Sequence, residues 1–327
     1  MRRRDFIKVI VGSAAAWPLV ARAQQPAKRP LIAMLAPGTR ASNGQWYAAL
    51  VDRLRELGWI EGRTVAFEYR FAEGRPERFA EIATEFVNSN VDVIVTGGNA
   101  VSAVRQATST IPIVFAAVND PVAQGFIPSM GHPGGNITGF SFLEYSMVGK
   151  SLEMLKQIAP KTSRVAVMFN PDTYPYYEIH LKSFETVARQ LGLDLRAAPA
   201  RSPTEIDEII ARLGKEDGSS LLITPDPFML VHRDLVIHAA AQHRVPASYS
   251  YRQNVVEGGL MSYGADTADI FFRSASYIDR VLKGATPGDL PAQAPVKFEI
   301  AFNVKTAKAA GLEIPQSLLA LADEVVE

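Results

Sequence analysis

The sequence predicts an α/β fold of two Rossmann-like lobes, each a parallel sheet with helices on both faces. Three observations carry this. Short apolar runs alternate with helical patterns from about residue 30 to the end. The runs are apolar throughout rather than at every second residue, the mark of strands covered on both faces. The pattern also occurs twice over, and 327 residues exceed what one hydrophobic core usually organises.

The first half reads in order as follows. Residues 31–36 are an apolar strand ending at Pro37-Gly38, and Trp46, Leu50, Leu54 and Leu57 mark a helical face that Gly58 stops. Residues 64–71 read as a strand; Phe79, Ile82, Ala83 and Phe86 mark a helix; 91–96 is a strand running into Gly97-Gly98-Asn99. A helix over 100–109, a strand over 111–118, a short helical stretch over 122–130, a turn at 133–135 and a strand over 137–142 complete it.

The second half begins with a helix over 147–158 and a strand over 164–169 that ends at Asn170-Pro171. Phe184, Val187, Ala188 and Leu191 face one way on a helix stopped by Gly192. A strand over 193–197, a helix capped by Thr204 and a strand over 220–224 follow, then a helix over 228–243 and strands over 245–250 and 260–263. The pattern closes with a helix over 268–282, a strand over 296–303, a short helix over 304–310 and a helical tail from Ser317.

Composition narrows the chemistry. Lys+Arg and Asp+Glu both number 34, so the basic excess of a nucleic-acid binder is missing. There is no cysteine, which excludes disulfides, thiolate metal sites and cysteine nucleophiles. Catalytic templates fail: no Gly-x-Ser-x-Gly elbow, no phosphate loop, no dinucleotide glycine pattern at Gly97-Gly98-Asn99. His232, His238 and His243 lack the spacing of a zinc helix, and the His132–Asn136 run reads as a turn. The N-terminus reads as an export signal over 1–23, with Arg3-Arg4-Asp5-Phe6-Ile7-Lys8 close to the twin-arginine consensus and Ala21-Arg22-Ala23 as the cleavage site.

The residues just past the strands carry the candidate site. They are Pro37-Gly38, Gly97-Gly98-Asn99, Asn119-Asp120-Pro121, Asn170-Pro171-Asp172, Pro225-Asp226-Pro227 and Tyr249-Ser250-Tyr251. In open α/β sheets ligands bind at that edge. Gly98 allows close backbone approach, and Asn99 opens a helix whose N–H groups favour an anion. Asn99, Asn119 and Ser141 are assigned to polar or anionic groups of a solute, Asp120 or Asp226 to an ammonium, and Phe140, Tyr174 and Tyr249 to its apolar part. Asn170 and Tyr263 complete the set. Trp46, Phe142, Tyr145, Tyr176, Tyr177, Phe228 and Tyr251 are further aromatic residues near strand ends. Each of these residues also fits ordinary turn, cap or core chemistry.

Essentially the whole chain past the signal resembles the solute-binding proteins of ABC transporters, in the group that includes tryptophan- and phenylalanine-type binders with the type I periplasmic-binding fold. The resemblance lies in Val95-Thr-Gly-Gly-Asn99, Ile111-Pro-Ile-Val-Phe-Ala-Ala-Val-Asn-Asp-Pro-Val122 and His132-Pro-Gly-Gly-Asn-Ile-Thr-Gly139. It continues in Gly258-Gly-Leu-Met-Ser-Tyr-Gly264 and Phe302-Asn-Val-Lys-Thr-Ala-Lys-Ala-Ala-Gly-Leu-Glu-Ile-Pro315. Members usually carry small or hydroxyl residues where this chain has Asn99. The resemblance implies a hinge of three crossing strands, with one lobe over 30–140 plus 265–294 and the other over 141–264 plus 295–327. It implies capture of an amino acid or aromatic carboxylate in the cleft by hinge closure, and delivery to an ABC permease with its ATPase. The expected protein is periplasmic, free of a lipid anchor, and meets the membrane only through the permease. No cofactor, metal, nucleic acid or enzymatic activity is expected; an exported enzyme, or a sensor or chemoreceptor component on the same fold, is the alternative.

Overall fold

The computed structural model describes residues 29–142 and 145–327; the export signal assigned to 1–23 lies outside the described residues. The first lobe runs β1 (Leu31–Ala36), α1 (Arg40–Glu56), β2 (Ala66–Phe71), α2 (Arg78–Asn88), β3 (Val93–Thr96), α3 (Ala100–Ala107), β4 (Ile113–Val118) and β5 (Ile137–Ser141). Its strands pair in parallel in the order β2-β1-β3-β4-β5. The second lobe runs α4 (Tyr145–Ile158), β6 (Arg164–Phe169), α5 (Tyr177–Gln190), β7 (Asp194–Pro199), α6 (Pro203–Leu213) and β8 (Ser219–Ile223). It continues through α7 (Pro227–Val231), α8 (Arg233–Gln242), β9 (Ala247–Tyr249), α9 (Arg252–Val256) and β10 (Met261–Ala265). The chain ends with α10 (Thr267–Leu282), β11 (Phe298–Asn303), α11 (Val304–Ala309), α12 (Gln316–Leu319) and β12 (Glu324–Val326). The second sheet is ordered β12-β11-β10-β9-β8-β6-β7, with only the β10–β11 pair antiparallel. This is the type I periplasmic-binding architecture.

Both sheets place their first strand inside: β1 sits between β2 and β3, and β6 between β7 and β8. The connections therefore leave in opposite directions and open a crevice at the carboxyl ends of these strands. The apolar strand runs are buried as their composition demands: Ile32 to Ala36 and Val93 to Val95 are all at most 1% exposed. Phe86 and Phe115 fill one face of the first sheet, while Leu50 and Leu54 of α1 fill the other.

The chain passes between the sheets three times. After β5 it enters α4 of the second lobe. After β10 it returns in α10, which packs on α1 and β4. Beyond a 3-10 turn at Pro287–Asp289, Gln293 lies alongside β5: its N–H donates to Gly139 O at 2.9 Å and its carbonyl accepts from Ser141 N at 2.8 Å. The chain then enters β11.

Local chemistry explains where the structure departs from the sequence reading. Residues 122–130 form turns rather than a helix, closed by Gly125 N to Val122 O and Phe126 N to Pro121 O, both at 2.9 Å. The long helix expected over 228–243 breaks at His232, whose amide closes α7 on Phe228 O at 3.0 Å while its carbonyl starts α8. Ser202, not Thr204, caps α6: its hydroxyl accepts from Glu205 N at 3.2 Å, with Pro203 in the first turn. The tail is helical only over α12 and then adds β12 parallel to β11.

Gly139 tests the first sheet. It sits in β5 at φ +156°, and a Cβ there would fall on the Phe115 carbonyl oxygen and lie 2.6 Å from the Phe115 ring. Gly139→Ala is expected to lower the unfolding free energy by about 3 kcal/mol, read as a shifted urea midpoint with unchanged m-value.

Candidate functional site

The two crevices face each other across a slot. Its floor in the first lobe is backbone and small side chains: Pro37 after β1, Gly97 and Gly98 after β3, Ala116 and Ala117 at the end of β4. The glycines are required there. A Cβ on Gly97 would fall on the Ala116 carbonyl oxygen, and Gly98, at φ +54°, lies between the rings of Pro37 and Pro227. The floor is also bent: the β4–β5 register shifts between Ala116 and Val118, leaving Ala117 as an extra residue at φ +55°. A left-handed non-glycine residue in a bulge holds conformational strain at the rim of the slot.

The walls are aromatic. Trp46 and Tyr47 project from α1 and Phe271 from α10, and Tyr251 comes from the second lobe just before α9. Trp46 meets Tyr251 at 5.3 Å between ring centroids and Phe271 at 6.2 Å; Tyr47 meets Phe271 edge-on at 4.9 Å. Tyr251 also leans on Phe142 at 5.4 Å. The roof is Pro225, Pro227 and Leu230 of the second lobe. No charged side chain lines the slot. Beneath Pro225 a second, smaller hollow enters the second lobe between α4 and the ends of β8 and β9, lined by Met147, Val148, Phe184, Leu222, Tyr249 and Tyr263.

The lobes touch across this seam. Asn119 Nδ2 donates to Pro225 O at 3.1 Å, Gln45 Nε2 to Gln253 Oε1 at 2.5 Å, and Phe126 meets Tyr176 edge-on at 6.1 Å.

Of the residues singled out in sequence, Gly98 lines the slot and Asn119 spans the seam. Asn99 starts α3 without capping it, and its Oδ1 is buried with no partner. Tyr263 borders the second hollow, with Lys150 Nζ 5.2 Å from its ring. Asp120 is a turn residue at φ +41° whose Oδ1 accepts from Ala123 N at 3.0 Å.

Asp226 corrects the ammonium assignment. It is fully buried and its oxygens accept from Asn170 N (2.6 Å), Thr173 Oγ1 (2.6 Å), Phe228 N (2.7 Å) and Met229 N (3.4 Å). Both oxygens serve its own lobe, capping α7. Asn170 belongs to the same loop: its Oδ1 accepts from Asp172 N at 2.8 Å and its carbonyl from Tyr174 N at 2.8 Å. Tyr174 is buried, with its hydroxyl bonded to His180 Nδ1.

The remaining three residues sit off the slot. Phe140 packs on Tyr277 at 4.9 Å under the Arg273 guanidinium at 5.2 Å. Ser141 pairs with Gln293 at the crossing. Tyr249 is buried in the second lobe's core, its ring against Gly259. Trp46 and Tyr251, grouped in sequence with the aromatic residues near strand ends, line the slot; Tyr47 joins them unannounced because a helix face with Leu50 and Leu54 reads as core. The available signal was position, since Tyr47 lies within the first two turns or so of α1, which follows the strand-end Pro37-Gly38. Among the described residues no group of three or more His, Asp or Glu is placed to hold a metal ion, and no helix is long and apolar enough to cross a membrane.

Residues 32–326 match the family described as ABC transporter substrate binding protein. A tyrosine-binding protein of Clostridioides difficile is 26% identical over 265 residues, covering 80% of this chain and 75% of that protein. Among solved structures, an ABC domain from Streptococcus pneumonia in complex with L-Trp is 23% identical with a TM-score of 0.85, covering 91% of this chain and all of that one. The ligand-free, open structure of a substrate-binding protein with adhesive properties from Clostridium difficile is 22% identical with a TM-score of 0.67, over 91% and 99% of the two chains.

Two buried polar groups of the second lobe yield tests. Asp226→Ala leaves four donors buried without an acceptor and is expected to cost about 3 kcal/mol of stability by urea unfolding. Burial pushes the Asp226 carboxyl up to about 6 while its four hydrogen bonds pull it down. His180 is fully buried, and burial pulls its imidazole down to about 4, against the Asp120 charge that raises it. The signs oppose. The folded state holds the Asp226 proton more tightly than the unfolded chain, so that contribution falls as pH rises from about 4 to 6. The folded state holds the His180 proton less tightly, so its contribution is full above about 6.5 and is lost as pH falls towards 4. Wild type minus His180→Gln is therefore expected to lose about 3 kcal/mol over that window, measured as unfolding free energy against pH.

Proposed function

This chain belongs to the ABC transporter substrate-binding protein family, and from that premise we propose that it captures an aromatic amino acid between its lobes and delivers it to a membrane permease driven by an ATPase. The observation that carries the reading is the slot itself. It has ring walls from both lobes, a bare backbone floor and no charged lining. Such a lining gains by burying an aromatic side chain, on the order of 4–6 kcal/mol gross for ~150–250 Å² of ring surface. The zwitterionic end is assigned to dipoles: a carboxylate to the uncapped start of α3 beside Gly98, and an ammonium to the buried amide oxygens of Asn99 and Asn119 on the loops that follow the floor strands. The names of the relatives, a tyrosine-binding protein and a tryptophan complex, support the same ligand class.

Capture works by closure. The rings and roof that enclose the solute come from opposite lobes, so the full lining exists only when the lobes meet. A solute then shifts the open–closed balance by its extra affinity for the closed form. The arrangement here is nearer in shape to the tryptophan complex than to the open, ligand-free relative, which fits a closed form. Export by the twin-arginine signal over 1–23 would place the protein in the periplasm, where a permease can receive it.

Calorimetric titration of L-tyrosine and L-tryptophan tests the ligand class. Binding to wild type is expected, with Trp46→Ala and Tyr251→Ala weaker by about tenfold to hundredfold, and the radius of gyration falling on saturation. No heat from any aromatic amino acid, or unchanged affinity in both variants, would overturn the reading.

A further inference from the structure

Asn119 sits after β4 with its side chain only 6% exposed, and its amide bridges the seam to Pro225 of the other lobe. A carbonyl oxygen only accepts hydrogen bonds, so the nitrogen of this amide must face Pro225 O. That leaves Oδ1, on the same carbon and at the same seam, as an acceptor. It is buried and no donor of the protein reaches it. Asn99, after the neighbouring strand β3, holds a second oxygen in the same state. Buried acceptors are nearly always paired, so two unpaired ones on adjacent loops at the ligand-facing edge call for a donor from outside the chain.

We infer that Asn119 Oδ1 is the atom that reads the solute's ammonium group, with Asn99 Oδ1 on the neighbouring loop as a second acceptor. The inference rests on the amino-acid reading above and deepens it. It also changes the polarity assigned to Asn119 from sequence: with its donor committed to Pro225, the side chain offers a solute only an acceptor. The ammonium thereby passes from Asp226, whose oxygens are occupied by four donors of its own lobe.

The geometry makes this a specificity device. Asn119 and Pro225 belong to different lobes, so their bond forms only on closure. Closure is also what takes Oδ1 out of water. A solute with an N–H at that point satisfies the oxygen as the lobes meet. A solute of the same shape without one leaves it stranded, and closing becomes costly. Discrimination thus falls on the closing step.

The test compares L-tyrosine and L-tryptophan with their deaminated counterparts, 3-(4-hydroxyphenyl)propanoate and indole-3-propanoate, by calorimetry on the whole protein. The readout is the affinity ratio within each pair, because loss of the Pro225 bond weakens both members alike. Asn119→Leu is expected to reduce the wild-type preference for the amine by about tenfold to hundredfold. Asn119→Asp keeps an acceptor but cannot donate to Pro225, and is expected to retain the preference. Asn119→Ala replaces the Leu variant if that one fails to fold, as judged by circular dichroism. A wild type that binds both members alike, or a folded Leu or Ala variant that keeps the wild-type ratio, overturns this inference and leaves the ligand-class reading standing. If the aromatic pairs do not bind, the remaining proteinogenic amino acids and their deaminated forms are titrated in the same way. Binding of none of them overturns both.

Discussion

The ligand-facing half of this molecule depends on one buried carboxylate. Asp226 stands between two prolines at the end of β8 and accepts hydrogen bonds from both sides: Asn170 and Thr173 of the β6–α5 loop, and Phe228 and Met229 at the head of α7. Two loops that would otherwise move independently are thereby tied at one point. Pro225, one residue away, presents its carbonyl to Asn119 and its ring to the slot. A buried carboxylate satisfied this fully is costly to place but strongly specifies the conformation around it. The roof of the slot is thereby fixed in shape by contacts within the second lobe alone.

The first lobe solves the same problem without charge. Its floor is built from close backbone contacts, with Gly97 against the Ala116 carbonyl and Gly98 between two proline rings. The left-handed turn at Ala117 is held by the bulge that ends the β4–β5 pairing. Rigid loops on both sides mean that ligand energy need not be spent on ordering them. The lobes meet at a seam of small links: an amide to a carbonyl, a Gln–Gln pair, ring contacts, and at the third crossing the Lys297–Asp269 ion pair at 2.8 Å.

Much of this was legible in the sequence, and what was not has physical reasons. The strand runs announced themselves because parallel strands are buried on both faces and must be apolar throughout, and the glycine and proline punctuation marked the edge where ligands bind. β12 and α9 were invisible because three to five residues carry no periodicity. The break at His232 was hidden because a helix that restarts at once preserves the apolar pattern. At the site, residue type and position did not separate roles. An aspartate after a strand looks the same whether it holds a ligand or caps a helix, and only the four donors around Asp226 decide. Phe140 lies off the slot, and Tyr249 borders only the second hollow, for the related reason that a ring near a strand end can turn to either face.

The aromatic contacts carry the last step. Trp46 and Tyr251 are already in contact across the seam, 5.3 Å between centroids, so they are not plates awaiting a ring between them. They form the wall that seals the slot once the lobes meet, each covering apolar surface of the other. Wall contact alone favours closing of the empty protein, which would waste the receptor. The stranded amide oxygens at Asn119 and Asn99 oppose it. In the proposed capture, the apolar seam favours closure in general while the unsatisfied acceptors permit it only around a guest that brings a donor. On the proposed assignment the two asparagines belong to the closing equilibrium as much as the rings do, with the solute's ammonium as the term that tips it.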